Sequence, residues 1–163
     1  PDHLVMGGAI CSLARQVSPS LINGHVPVSG RRFQAYLQFK DPKPGEARDA
    51  MMAAIAFRRL KAVYAFDDDI DIFDDREAMW AIATRVQWHR DLMKLDGLTL
   101  APLDPSAPAI GKTITKAAID ATLPAAARPG QPKPVAPRNR VSEDAVAAAT
   151  AALDGVDTTG WPS

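Results

Sequence analysis

Apolar residues recur along the chain with two spacings, and the switches between them outline the elements. From Leu4 to Gln16 the positions Val5, Ala9 and Leu13, with Met6 and Ile10 alongside, follow helical spacing, and Pro19 sets a stop. Asn23 and Gly24 read as a turn. Between Arg32 and Phe39 the period becomes two: Phe33, Ala35, Leu37 and Phe39 alternate with Gln34, Tyr36 and Gln38, which predicts a strand with Lys40 at its end. Asp41, Pro42, Lys43, Pro44 and Gly45 then punctuate the entry to a helix. Its stripe is Ala47, Ala50, Met51, Ala54 and Ile55, and it closes on Arg58, Arg59 and Lys61 near the negative end of the helix dipole. Ala62 to Phe66, a short run of β-prone residues directly behind it, predicts a buried second strand. A strand, helix and strand within this length imply a right-handed parallel crossover.

Asp74 followed by Glu77 is a capping signature ahead of Met79, Ile82, Ala83 and Val86, so a third helix is expected to end near Arg85. Asp91 to Leu95 reads as a third short strand. Gly97 to Leu123 has weak periodicity and many turn residues, and reads as one long irregular connection. From Pro124 to Arg140, five prolines mixed with alanine, glycine and lysine describe an extended tether. Ser142 then caps an alanine-rich helix with Glu143 and Asp144 in its first turn, a stripe of Val146, Ala149 and Leu153, and Gly155 past its end. So short a helix is marginal alone in water and is expected to dock on the domain or on another subunit. The pattern predicts a small three-layer α/β domain over residues 1–124, with a largely parallel sheet built from strand-helix-strand units. A linker over 125–141 and a terminal helix over 142–155 follow.

The chain's 163 residues, 47% of them hydrophobic, suffice for one sizeable core but not for two ordinary domains. Lys and Arg number 19, as do Asp and Glu, so no net field favours nucleic acid or an anionic membrane. Neither is expected as a partner, and a small neutral partner fits better. No run approaches the roughly 18 to 20 apolar residues of a membrane span, and the first residues carry no signal-peptide pattern. One cysteine, Cys11, precludes an internal disulfide. A cytoplasmic protein is the expectation. A start at Pro1 and Asp2, without methionine, reads as a cut from something longer.

The densest polar feature is the acidic run Asp67, Asp68, Asp69, Asp71, Asp74 and Asp75, expected at the carboxyl end of the second strand, where open α/β sheets bind ligands. Such carboxylates would hold Mg²⁺ or Mn²⁺ through oxygen. However, alternation sends Asp67, Asp69 and Asp71 one way and Asp68 the other, and Asp74 is claimed by the cap, so caps, turn bonds and arginine pairs are the stronger reading. Gly111, Lys112 and Thr113 copy the end of a P-loop, but Ser106 stands where the first glycine should be and Pro108 stiffens the loop. Lys116 and Asp120 read as a solvated pair one helical turn apart. His3, His25 and His89 have no metal spacing with one another or with Cys11, which argues against zinc or nucleophilic chemistry. Trp80, Trp88 and Trp161 read as core or interface anchors. Lys40, next to a Pro-Gly turn, would grip a phosphate beside the following helix, though on the residues alone an ordinary surface lysine is the better reading.

Several segments in order resemble one family: Lys40 with Pro44 and Gly45, DDDID (Asp67 to Asp71), WAIATR (Trp80 to Arg85), Arg90 with Asp91, LDPSA (Leu103 to Ala107) and TKAAIDATLP (Thr115 to Pro124). Over about Val26 to Pro124 the chain resembles the C-terminal part of UbiD-type decarboxylases. The resemblance implies reversible, non-oxidative decarboxylation of an aromatic or α,β-unsaturated acid by a full-length enzyme that uses prenylated FMN, Mn²⁺ and often K⁺. It implies that the proton-transfer set and the metal ligands lie in an upstream flavin-binding domain, so that this piece alone is inactive and binds no cofactor. It assigns Lys40 to the flavin phosphate. It also implies that this domain closes one wall of the substrate pocket and makes the contact of a homodimer or higher homo-oligomer, with the loops Asp67 to Phe73 and Gly97 to Thr122 as candidates for both. The competing expectation is a non-catalytic oligomerisation or regulatory subunit partnering a separate flavin-binding chain. A third is an Mg²⁺-dependent enzyme built on the Asp67 to Asp71 run.

Overall fold

The computed structural model describes residues 2–99, 103–106, 113–123 and 141–154. In chain order these form α1 (Asp2–Arg15), β1 (Leu21–His25), β2 (Gln34–Phe39), α2 (Glu46–Ile55), β3 (Ala62–Asp67), α3 (Asp75–Arg85), α4 (Trp88–Asp91), β4 (Leu92–Thr99), β5 (Thr113–Asp120) and α5 (Glu143–Leu153). The five strands form one sheet in the order β1-β2-β3-β5-β4. Its centre, β2, β3 and β5, is parallel as expected, and β1 and β4 run antiparallel along the edges.

Strand alternation divides the core into the predicted layers. Ala35, Leu37, Phe39, Val63, Ala65 and Ala118 face α1 and α2, where they meet Met6, Ile10, Ala50, Met51 and Ile55. Tyr36, Phe66 and Ile119 face the other way and meet Ala78, Ala81 and Ile82 of α3. The whole predicted stripe of α2 is buried.

Several readings are corrected. Asn23 and Gly24 are not a turn but part of β1. A Cβ on Gly24 would stand 3.0 Å from that of Cys11, so the glycine is there for the close approach of α1. On α1 the buried stripe is Met6, Ile10, Cys11 and Ala14, while Val5, Ala9 and Leu13 face outward. On α3, Ile82 and its C-cap Val86 are buried, but Met79 is 58% exposed and Ala83 is exposed; Ala78, Ala81 and Arg85 turn inward instead. The region from Gly97 to Leu123 is not irregular throughout: β4 continues to Thr99 and β5 runs from Thr113 to Asp120. The short strand expected from Asp91 begins one residue later, and its register shifts once between Leu95 and Leu98, where Gly97 takes φ +76°.

Lys116 and Asp120 accordingly lie on a strand and not on a helix. Lys116 is 2% exposed, and its Nζ donates to the carbonyls of Ile55 and Phe57, each at 3.1 Å. Those oxygens belong to the end of α2, whose own last turn carries no basic residue. A lysine from the neighbouring strand therefore supplies the cation that a helix C-terminus favours. Burial pulls the Lys116 ammonium below its ordinary pKa.

Ser142 caps α5 as expected, its Oγ accepting from the Ala145 N–H at 3.2 Å, and the described side chains of α5 are exposed. The tether over 124–140, Gly111 and Lys112 of the P-loop-like stretch, Gly155 and Trp161 lie outside the described residues.

Candidate functional site

The parallel strands β2, β3 and β5 end on the same edge of the sheet, and the loops leaving them carry most of the polar residues singled out by the sequence. The expected alternation of the acidic run does not hold, because the chain turns directly after β3: Asp67 is buried, Asp68 and Asp69 are both exposed, and beyond them Ile70 and Ile72 are fully buried beneath α3 while Asp71 and Phe73 are exposed. Gln38 of β2 pins this loop by donating from Nε2 to the Ile70 carbonyl at 2.7 Å, and Asn23 of β1 orients Gln38 by donating to its Oε1 at 2.9 Å. Asp71 closes a turn by accepting from the Phe73 N–H at 2.9 Å. Asp74 caps α3, accepting from the Arg76 N–H at 2.8 Å. Glu77 accepts from the Asp71 N–H at 3.0 Å, so the expected capping pair stitches the loop to the helix.

Arg85 is the side chain on which this edge converges. It leaves the core face of α3 with its side chain 2% exposed, and its guanidinium forks onto Asp69 at 3.1 and 2.5 Å. Its Nη1 also lies 3.9 Å from Asp67, whose side chain is 3% exposed. The Trp80 ring lies beneath the guanidinium, 5.5 Å from centroid to Cζ. Asp67 in turn accepts the Leu123 N–H, tying the chain that leaves β5 to the end of β3. Asp120 folds that same chain by accepting from the Thr122 N–H at 3.1 Å and from its hydroxyl at 2.6 Å. On its other side Asp120 faces Arg48 of α2 at 3.8 Å. Among the described residues, no group of three His, Cys, Asp or Glu side chains is placed to hold a metal ion. Asp67, Asp69, Asp71 and Asp74 are thus engaged in the cap, the turn, the Arg85 pair and the Leu123 bond.

Lys40 is exposed at the end of β2 and makes no side-chain hydrogen bond or ion pair among the described residues. The turn that follows contains two left-handed residues, Asp41 at φ 46° and Gly45 at φ 88°, the latter being the N-cap of α2. Aspartate tolerates that region better than most side chains, and glycine enters it without strain. Glu46 bridges the turn, accepting from the Lys43 N–H at 2.9 Å and the Ser20 N–H at 3.2 Å, and these bonds hold its carboxyl below the usual carboxylate range.

Beside this edge, an aromatic cluster covers β1 and β2. The rings of His25 and Phe73 are 4.8 Å apart, and Tyr36 meets Tyr64 and Phe66 edge-on at 5.6 and 5.5 Å. Burial, helped by Asp75, pushes the Tyr36 phenol up, and burial lowers the His25 imidazole. Sequence reading gave this cluster no role, because an isolated histidine and alternating aromatics look like ordinary strand residues.

The fold as a whole matches known proteins. The fold matches the UbiD-class enzyme HmfF from Pelotomaculum thermopropionicum, solved in complex with FMN, with TM-score 0.71 and 32% identity over 78% of this chain and 28% of that one. The family described as 3-octaprenyl-4-hydroxybenzoate carboxy-lyase C-terminal domain matches residues 5–121. The chain therefore belongs to the UbiD family, as its C-terminal domain. Gallate decarboxylase of Lactiplantibacillus plantarum is 34% identical over 64% of this chain and 24% of its own length. Anhydromevalonate phosphate decarboxylase of Archaeoglobus fulgidus is 40% identical over 60% of this chain and 22% of its own length. The chain thus spans about a quarter of the length of the curated relatives it matches. No helix among the described residues is long and apolar enough to cross a membrane.

Proposed function

We propose that this domain closes one wall of the acid pocket in a full-length UbiD-type decarboxylase that uses prenylated FMN. The observation that carries the reading is the family membership combined with a polar, loop-built carboxyl edge where such sheets hold ligands. The substrate is an aromatic or α,β-unsaturated carboxylic acid. The names of the relatives support both kinds, one being a gallate decarboxylase and the other an anhydromevalonate phosphate decarboxylase. When bound, the modified flavin supplies the electron sink for loss of CO₂. The part played by this chain is to position and exclude water. Lys40, exposed beside the amino end of α2 and free of other partners among the described residues, is the group offered to the flavin phosphate. In this reading Mn²⁺ and K⁺ are held by the upstream part of the enzyme.

Association is the second role. Leu4 and Val5 are 76% and 74% exposed on the outer face of α1, next to exposed Ala9 and Leu13. So apolar a stripe fits a surface covered by another part of the enzyme or by a partner subunit of a homodimer.

The test is the full-length enzyme with Lys40→Gln. Removing one charge-assisted contact is expected to weaken flavin retention by about tenfold, read as flavin absorbance after gel filtration. Because Lys40 is exposed, the melting temperature of the flavin-free protein is expected to stay unchanged. Full flavin retention by the variant would remove Lys40 from the site, and a wild-type enzyme that neither binds flavin nor releases CO₂ would overturn the whole reading.

A further inference from the structure

We propose that Arg85 is a positioning residue for substrate choice: through Asp67 and Asp69 it fixes the segment 121–123 against the end of β3 and so sets the shape of the acid-facing wall. The inference rests on the pocket-closing reading above.

Three observations lead to it. First, Arg85 occupies a core position of α3, among Ala78, Ala81 and Ile82, where an apolar side chain would serve the helix equally well. Burying a guanidinium is costly even when it is paired, so its gain lies in geometry: its planar fork fixes direction as well as distance. Second, the pair does not end on itself. Asp67 stands between Arg85 and the backbone of Leu123, so the position of the arginine is passed to a peptide bond one strand away. Third, Ala121 and Leu123 are buried, so the segment is packed, but the bond that sets its direction as it leaves the sheet comes from Asp67. Asp120 folds it locally onto Thr122, and the Ala121 N–H donates to the Ala65 carbonyl at 2.9 Å, but the Leu123 amide is anchored by Asp67. β3 and β5 are adjacent parallel strands, so the segments that follow them leave the same carboxyl edge of the sheet, where such folds hold ligands. Blunting the fork on Asp69 shifts the guanidinium beside Asp67 and with it the acceptor of the Leu123 N–H, and small misplacements at a binding surface cost large factors in rate or affinity.

The experiment compares the flavin-loaded full-length enzyme with Arg85→Lys, which keeps the charge but loses the fork, and with Asp67→Asn, which can still accept the Leu123 N–H but loses the pairing charge. Three quantities are read: amide hydrogen exchange of residues 121–123, bound flavin, and KM and kcat for a benzoate-sized acid, a cinnamate-sized acid and a small aliphatic enoic acid. The expected result for Arg85→Lys is unchanged flavin content, faster exchange at Leu123, and KM raised by about tenfold or more for at least one acid, with a changed order of preference. Little change in kcat should accompany it. Asp67→Asn should move the same readouts in the same direction, and it decides the matter if Arg85→Lys does not fold. Faster exchange with unchanged KM values and unchanged preference would make Arg85 a purely structural residue and overturn the proposal. So would unchanged exchange in both variants. A flavin-loaded wild type that decarboxylates none of the acids would instead overturn the decarboxylase reading, and the proposal about substrate choice with it, while the exchange data would still show whether Arg85 holds the segment.

Discussion

Arg85→Met is expected to lower the unfolding free energy by about 3–5 kcal/mol at neutral pH, the cost of removing one partner of a buried ion pair. Methionine fills similar space, so little of this loss is cavity. The loss comes from Asp67, buried at the end of β3, which keeps its bond from Leu123 but loses the positive charge beside it. Asp69 matters less, because its side chain is 35% exposed and water replaces part of what the arginine supplied. Chemical denaturation of the single variant and of the double variant Arg85→Met with Asp67→Asn separates the contributions. The double variant is expected to recover much of the stability, since the amide still accepts the Leu123 N–H but no longer carries a buried charge. A double variant as unstable as the single one would mean that packing, and not the charge of Asp67, accounts for the loss.

Lys116→Met is expected to cost about 2 kcal/mol at pH 7, because two carbonyls at the end of α2 lose their donor, partly offset by the relief of a desolvated ammonium. The pH dependence carries the sharper signature. Burial lowers the pKa of Lys116 in the folded protein, whereas the unfolded chain keeps its proton up to about pH 10.4. Between the lowered value and the ordinary one, the unfolded state binds more protons, so wild-type stability gains on that of the variant as pH rises. Denaturation midpoints of the two proteins from pH 7 to 10.5 should therefore diverge with increasing pH. The raised phenols of Tyr36 and Tyr64 work in the opposite sense near the alkaline end, but both proteins carry them, so they cancel in the difference. A gap that narrows with pH would contradict the burial of a charged lysine.

Where one physical effect dominates locally, the sequence is legible. The alanine stripe of α2, the alternation of β2 and the caps at Asp74 and Ser142 each announce themselves through spacing or chemistry within a few residues. β5 is hidden for the opposite reason. Its pattern of Thr, Ile, Thr, Lys, Ala, Ala, Ile and Asp places a charged residue at a buried position and small residues around it, and only the end of α2, some sixty residues earlier in sequence, explains why a lysine can sit there. The phase of α3 is lost in the same way: Arg85 counts as surface until Asp67 and Asp69 are known to surround it, and Met79 counts as core. The acidic run could be narrowed in advance to caps and arginine pairs, but not to the arginine concerned or to the bond with Leu123. Both depend on three loops meeting at one edge.

The contact between α1 and Gly24 has a practical consequence. Cys11, the one thiol in the sequence, is packed on that glycine and shielded from solvent. A thiol reagent can reach it only when the helix lifts from the edge strand, so its labelling rate measures how often that seam opens. The seam carries the outward face of Leu4 and Val5, and a change in labelling when the remainder of the enzyme is present would report, without any engineered probe, whether that remainder clamps the helix in place.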